Sequence, residues 1–180
     1  MKELFDLLNQ NGIIIDSGLT DEEISIIENR YDISFPKSLK YFYKKGVPVS
    51  EGFVNWRDFS SENVEYIKNL IYSTFSDVSE NAEDIYWNDE WGDEPEDTEE
   101  IAKIIKEKLK SAPKLIPIYS HRYVPMSTSD NPPVISVHEI DIIYYGADLF
   151  DYFNIEFGKK KQSDIDFENI QKIPFWTEIM

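Results

Sequence analysis

The chain contains no cysteine, so disulfides, thiolate nucleophiles and thiolate-held metals are excluded from the start. Histidine is nearly as scarce: His121 and His138 are the only two, which deprives general acid/base chemistry near neutral pH of its usual agent. Seven glycines in 180 residues form no G-x-G-x-x-G, no phosphate-cradling G-x-x-x-x-G-K-S/T and no G-x-S-x-G. No apolar run approaches the roughly eighteen residues of a membrane span. The opening MKELFDLLNQNG is broken by Glu3 and Asp6 before any apolar stretch develops, unlike a secretory leader, so the expected location is the cytoplasm. Positive charge is in short supply as well, with 18 Lys and Arg against 35 Asp and Glu and a net charge of -17. Bulk attraction to nucleic acid or an anionic membrane is thereby disfavoured, whereas a basic protein would be steered toward this chain.

What is present is enough for a core. A hydrophobic fraction of 41% over 180 residues fits one globular domain spanning 1–180. Thr20 and Glu23 form the T-x-x-E pattern of a capping box, and Ile24, Ile27 and Tyr31 follow at helical spacing, which predicts a helix over 21–31. Pro36 suits the first turn of a second helix with Leu39, Phe42 and Tyr43 on one face and Gly46 as its stop. Ser60 or Ser61 can cap a third, with Val64, Ile67, Ile71, Phe75 and Val78 inward, and Asp97 with Glu100 marks the start of a fourth. GFVNWRDF reads as strand-like. From Leu115 onward Ile, Val and Tyr dominate, and at least three strands are expected before Asp148 caps a last helix with Leu149, Phe150, Phe153 and Phe157 inward. Phe175 and Trp176 should dock the tail. Helices first and strands later predict an α+β fold with an antiparallel sheet packed against several helices.

The strongest local signal is acidic. Between residues 77 and 100, twelve of twenty-four positions are Asp or Glu, none is Lys or Arg, and Trp87 and Trp91 lie among them. Like charges at this density oppose compaction, so the segment is read as an acidic insert that meets a basic partner. Trp87 and Trp91 are candidate anchors, with Asp89, Glu90, Asp93, Glu94 and Asp97 as steering charges. The plainer alternative is a solvated loop whose indoles pack back onto the core. Laying Gly92 on the glycine of an EF-hand loop puts Trp87 and Trp91 where oxygen ligands belong, so that template fails. No catalytic residue, cofactor or metal ligand is assigned. Both histidines read as structural, and Ser120 beside His121 is no triad.

The stretch LTDEEISIIENRYDISFPKSLKYFYKKG resembles the signature of the SUKH superfamily, whose eukaryotic relatives include the yeast cell-wall synthesis regulator. The matching positions are Leu19, Ile24, Glu28, Phe35, Pro36, Leu39, Phe42 and Gly46. The likeness continues through VPVSEGFVNWRDF, LIPIYSHRYVP, PPVISVHEIDIIYYGADLFDYF and IPFWTEI, in the manner of a bacterial subgroup. The resemblance implies a non-enzymatic cytoplasmic immunity protein that binds and neutralises a cognate polymorphic toxin, often a nuclease. It supplies no catalytic residues, and the acidic segment matches none of its pattern. Two other readings stand beside it: a regulatory scaffold for a cellular protein, and a small-molecule or carbohydrate binder using the aromatic strands, where Tyr144 and Tyr145 could stack on a ligand. If the acidic segment is only a solvated loop, the partner-binding face is expected on the sheet around Tyr123, Tyr144 and Tyr145.

Overall fold

The computed structural model describes all 180 residues. Its first half is built on caps and latches. Helix α1 (Lys2–Gln10) leads through the two-residue strand β1 (Ile15–Asp16) to α2 (Asp21–Tyr31). At the start of α2 the Glu23 N–H donates to Thr20 Oγ1 at 3.1 Å and the Thr20 N–H donates back to Glu23 Oε2 at 2.8 Å, so two otherwise orphaned donors are satisfied reciprocally. Glu23 also accepts from Arg57 Nε at 2.7 Å, and the same guanidinium donates to the Ser17 and Gly18 carbonyls. Gly18 must be glycine because a Cβ there would lie 2.1 Å from the Lys44 carbonyl oxygen.

Helix α3 (Lys37–Lys45) begins one residue later than expected, with Pro36 as its N-cap. Proline offers no side-chain acceptor, and the free N–H of Ser38 donates instead to the Asp130 carbonyl at 2.8 Å, a cap borrowed from a distant loop. The link between α2 and α3 is held by Glu28, whose Oε1 accepts from the Phe35 N–H at 2.7 Å while Lys40 pairs with the same carboxylate at 3.1 Å. This explains why Ile24 and Glu28 recur four apart beside Phe35-Pro36: one faces the core, and the other closes the bend.

Strand β2 (Val47–Pro48) pairs antiparallel with β1. GFVNWRDF forms no strand beyond a single bridge between Phe53 and Tyr119, and its function is packing, since Trp56 is fully buried against Tyr31, Phe35 and Tyr43. Helix α4 (Ser61–Glu80), capped by Ser60, and α5 (Thr98–Leu109), capped by Asp97, enclose the acidic segment. Four strands follow: β3 (Leu115–Tyr119), β4 (Arg122–Pro125), β5 (Val134–His138) and β6 (Asp141–Gly146). They form an antiparallel meander in the order β3-β4-β5-β6. Helix α6 (Leu149–Glu156) presents Leu149, Tyr152 and Phe153 inward, so the expected Phe150 is on the wrong side of the helix and lies exposed.

Alternate strand residues enter two separate cores. Ile116, Ile118, Val124 and Val134 face one that also contains α1, α2, α3, α6 and the first half of α4. Leu115, Tyr123, Ile135, Val137 and Ile142 face another, made with Val78, Ala82, Ile85, Trp87, α5 and the tail residues Ile173, Phe175, Trp176 and Ile179. The fold is α+β, and no helix is long and apolar enough to cross a membrane.

Two stability outcomes are predicted. Thr20→Ala should cost about 1 kcal/mol and Glu28→Ala about 2 kcal/mol in denaturant titration; neutral results would relocate the helix start and the α2–α3 latch. The second is acidic. The Arg57 guanidinium holds the Glu23 carboxyl below its ordinary value of 4.5, assisted by the Thr20 N–H. A depressed carboxyl contributes stability above its unfolded value and loses it as pH falls through the folded one. Glu23→Gln should therefore flatten the decline of stability below about pH 4.5, and an unchanged slope would refute the assignment.

Candidate partner-binding surface

After α4 the chain makes a 3-10 turn over Ala82–Asp84, runs extended through Ile85–Asn88, turns again over Asp89–Trp91 and reaches Asp97. Its apolar residues point down. Ala82, Ile85 and Trp87 are buried, while Tyr86 between the last two is 60% exposed, the in-and-out alternation of an extended segment. The acidic insert is thus the roof of the second core, with its side chains sorted by face.

Trp87 is 8% exposed, its Nε1–H donating to the Gly92 carbonyl at 2.8 Å. Trp91 is half-buried, stands edge-on to Trp87 with ring centroids 5.4 Å apart, and has the Lys108 ammonium 4.4 Å above its ring. Lys108 is held over this face by the indole. Gly92 has a φ of 94°, a left-handed conformation suited to glycine, and there the chain turns back toward Asp97. The structure therefore brings the two tryptophans together, as a packed pair beneath the acids.

The acids themselves stay outside. Asp89, Glu90, Asp93, Glu94 and Asp97 are exposed, as are Glu80, Glu83, Asp84, Glu96, Glu99 and Glu100. Only Asp77 is half-buried, and its carboxyl is pushed up by burial and then by Glu80 and Glu139, with His138 opposing. Asp97 also has local work, accepting from the Glu99 N–H at 2.9 Å at the positive end of α5. Among all salt bridges of the chain, only Lys172–Glu90 at 3.6 Å engages a carboxylate of 77–100. Elsewhere the acids pair with cations: Asp21 with Lys44, Glu23 with Arg57, Glu28 with Lys40, Asp151 with Lys160, Glu156 with Arg122.

An open cleft of about 690 Å3 lies along this face, with Glu83, Asp84, Asp89, Asp93 and Glu94 around the Tyr86 and Trp87 rings. Tyr86, Glu83 and Asp84 were not singled out from sequence, although the alternation of Ile85, Tyr86 and Trp87 contains the signal. No three carboxylates or imidazoles in the chain converge as a cation site. The arrangement can instead receive extended positive charge, such as the arginine and lysine side chains of a protein.

The other candidate groups are otherwise engaged. Ser120 Oγ and His121 Nδ1 do approach to 3.1 Å, closer than adjacency suggested, because the two residues form the tight turn between β3 and β4. No carboxylate bonds that imidazole to orient it as a base. Burial, Arg122 and His138 together hold the His121 ring below its ordinary value. Tyr123 is buried and its hydroxyl pushed up to about 12 by burial. The Arg122 guanidinium lies 3.7 Å over Tyr145, and Tyr144 donates its hydroxyl to the Gln171 carbonyl.

Neither a curated protein nor a solved structure matches the chain. One family model does, over residues 18–155, from the loop before α2 to the penultimate residue of α6. That span contains the capping box, the Glu28 latch, the acidic segment and the whole four-stranded sheet, and it leaves the C-terminal segment outside. With more than half of its length matched, and with the motif residues performing identifiable structural work, the chain belongs to the SMI1 / KNR4 family (SUKH-1).

Proposed function

We propose that this chain is an immunity protein that binds a cognate polymorphic toxin in the cytoplasm and neutralises it by covering a basic surface, the nucleic-acid cleft of a nuclease. Domains of this family are in general non-enzymatic immunity or regulatory proteins, which supports a binding role. The observation that carries the reading is the unneutralised acidic face. Eleven exposed carboxylates of residues 80–100 share a single salt bridge, in a chain whose other acids repeatedly find cations. Repulsion on such a face is relieved when cations arrive from outside.

Nuclease clefts are basic because they must neutralise phosphates, so an acidic protein surface competes for the same field. Asp89, Glu90, Asp93 and Glu94 would stand where phosphates lie, and Tyr86 and the exposed edge of Trp91 would supply aromatic contact for arginine. Trp87, lying beneath, would keep the face in shape. The same surface could serve a regulatory scaffold only if its partner were equally basic, so the charge of the partner is the common requirement.

We predict that reversing Asp89, Glu90, Asp93 and Glu94 to Lys slows association with the cognate toxin by at least about tenfold at low salt, and removes most of the salt dependence. Stopped-flow mixing over a range of ionic strength measures both. Unchanged rates, with the circular dichroism of the folded chain preserved, would refute this surface as the docking face.

A further inference from the structure

The residues that hold the acidic face in place come from the far end of the chain. Glu178 meets it twice and makes a third bond within the tail. Its Oε2 accepts from Trp91 Nε1 at 2.9 Å, its Oε1 accepts from the Phe175 N–H at 2.9 Å, and its main-chain carbonyl accepts from Asn88 Nδ2 at 2.8 Å. The Asn88 Oδ1 in turn accepts from the Glu90 N–H at 2.8 Å, so one amide side chain both caps the Asp89–Trp91 turn and ties it to the tail. Lys172 contributes the one ion pair to the face, on Glu90. Ile173, Phe175, Trp176 and Ile179 anchor the segment below, with Trp176 Nε1 donating to the Pro113 carbonyl at 2.8 Å.

Two features set Glu178 apart from the other carboxylates nearby. It is half-buried and fully committed, both oxygens accepting bonds, whereas the acids of the face are exposed. It also bonds the N–H of Phe175, whose φ of 66° is a strained backbone for an aromatic residue and needs such support. The face and its fastening are separated by about ninety residues and meet only in the folded state.

We propose that Glu178 is a positioning residue, through which the C-terminal segment straps the Asn88–Trp91 turn and sets the shape in which the acidic face meets its partner. Its bearing on recognition rests on the docking reading above; its mechanical role does not. The sign of the effect separates the strap from simple electrostatics. In a chain of net charge -17, removing one more carboxylate from an acidic neighbourhood relieves repulsion and should tighten the region. Removing a strap loosens it.

Amide hydrogen exchange of the free full-length chain reads this directly. In Glu178→Ala, exchange across residues 86–94 should rise by roughly tenfold, while exchange in α2 stays at its original rate. Glu178→Gln should fall between, because its one carbonyl oxygen can satisfy Phe175 or Trp91 but not both. In a Trp91→Phe background the Glu178→Gln change should lose most of its effect, since the indole donor that distinguishes them is gone. Exchange that slows or stays level in Glu178→Ala overturns the proposal, and so does a rise shared equally by α2. Because no partner is involved, failure here leaves the charge-reversal result standing, and failure there leaves the strap standing.

Discussion

Residues of both parities along β3 to β6 are apolar, and a sheet of that kind must be covered twice. Ile116 and Val124 demand one cover, Leu115 and Tyr123 another. The first comes from α1, α2, α3 and α6, which the capping box and the Glu28 latch hold in place. The second has no complete helical layer available, since α5 alone contributes only Ile101, Ile105 and Leu109 as buried residues. The remainder is supplied by Val78, Ala82, Ile85 and Trp87 from the acidic segment and by the tail. Helix α4 joins the two covers: Ile67 and Ile71 enter the first core and Val78 the second, a reach its 20 residues permit at about 1.5 Å each.

This need for a second cover explains how a densely acidic segment can remain folded. Mutual repulsion would drive such a chain away from itself, but between Val78 and Trp91 an apolar side chain is held in or against the second core every few residues. The acids of that half alternate with these anchors, and those past Gly92 lead into the start of α5, where Ile101 is the next buried residue. Buried Ile85 and Trp87 flank exposed Tyr86, and the Asp89–Trp91 turn is fixed by Asn88 below. Local order that conflicts with its own electrostatics, and is stabilised from elsewhere, is the pattern expected where binding has been favoured over stability.

Much of the scaffold was legible in the sequence because its signals are local. Thr20 and Glu23 are three residues apart, Ser60 and Asp97 sit at the helix starts they cap, and Phe175 and Trp176 had to be buried somewhere. Where reading failed, the cause was a distant partner at Pro36 and the choice of helix face at Phe150. Pro36 is an N-cap because Asp130 supplies its missing acceptor, and Phe150 is exposed because Tyr152 fills the core beside Phe153. For the candidate surface, the acids were visible as composition and the two tryptophans as neighbours. The direction in which Trp87 faces depends on the second side of the sheet, which a one-dimensional pattern of strands does not reveal.

Glu178 shows this limit most clearly. In sequence it is one acid among 35, in a tail marked mainly by its aromatic residues. Its three bonds reach from Asn88 to Phe175 and depend on the tail crossing the second core in one direction only. Composition treats it as more of the same charge, while geometry gives it the opposite role, since it stabilises a face that the other carboxylates strain. A surface held under electrostatic stress by a few part-buried bonds keeps its carboxylates at fixed spacing, so that in the proposed docking role the cations of a partner would meet an arrangement already formed. Less order then has to be acquired on binding, which favours both fast association and a tight complex.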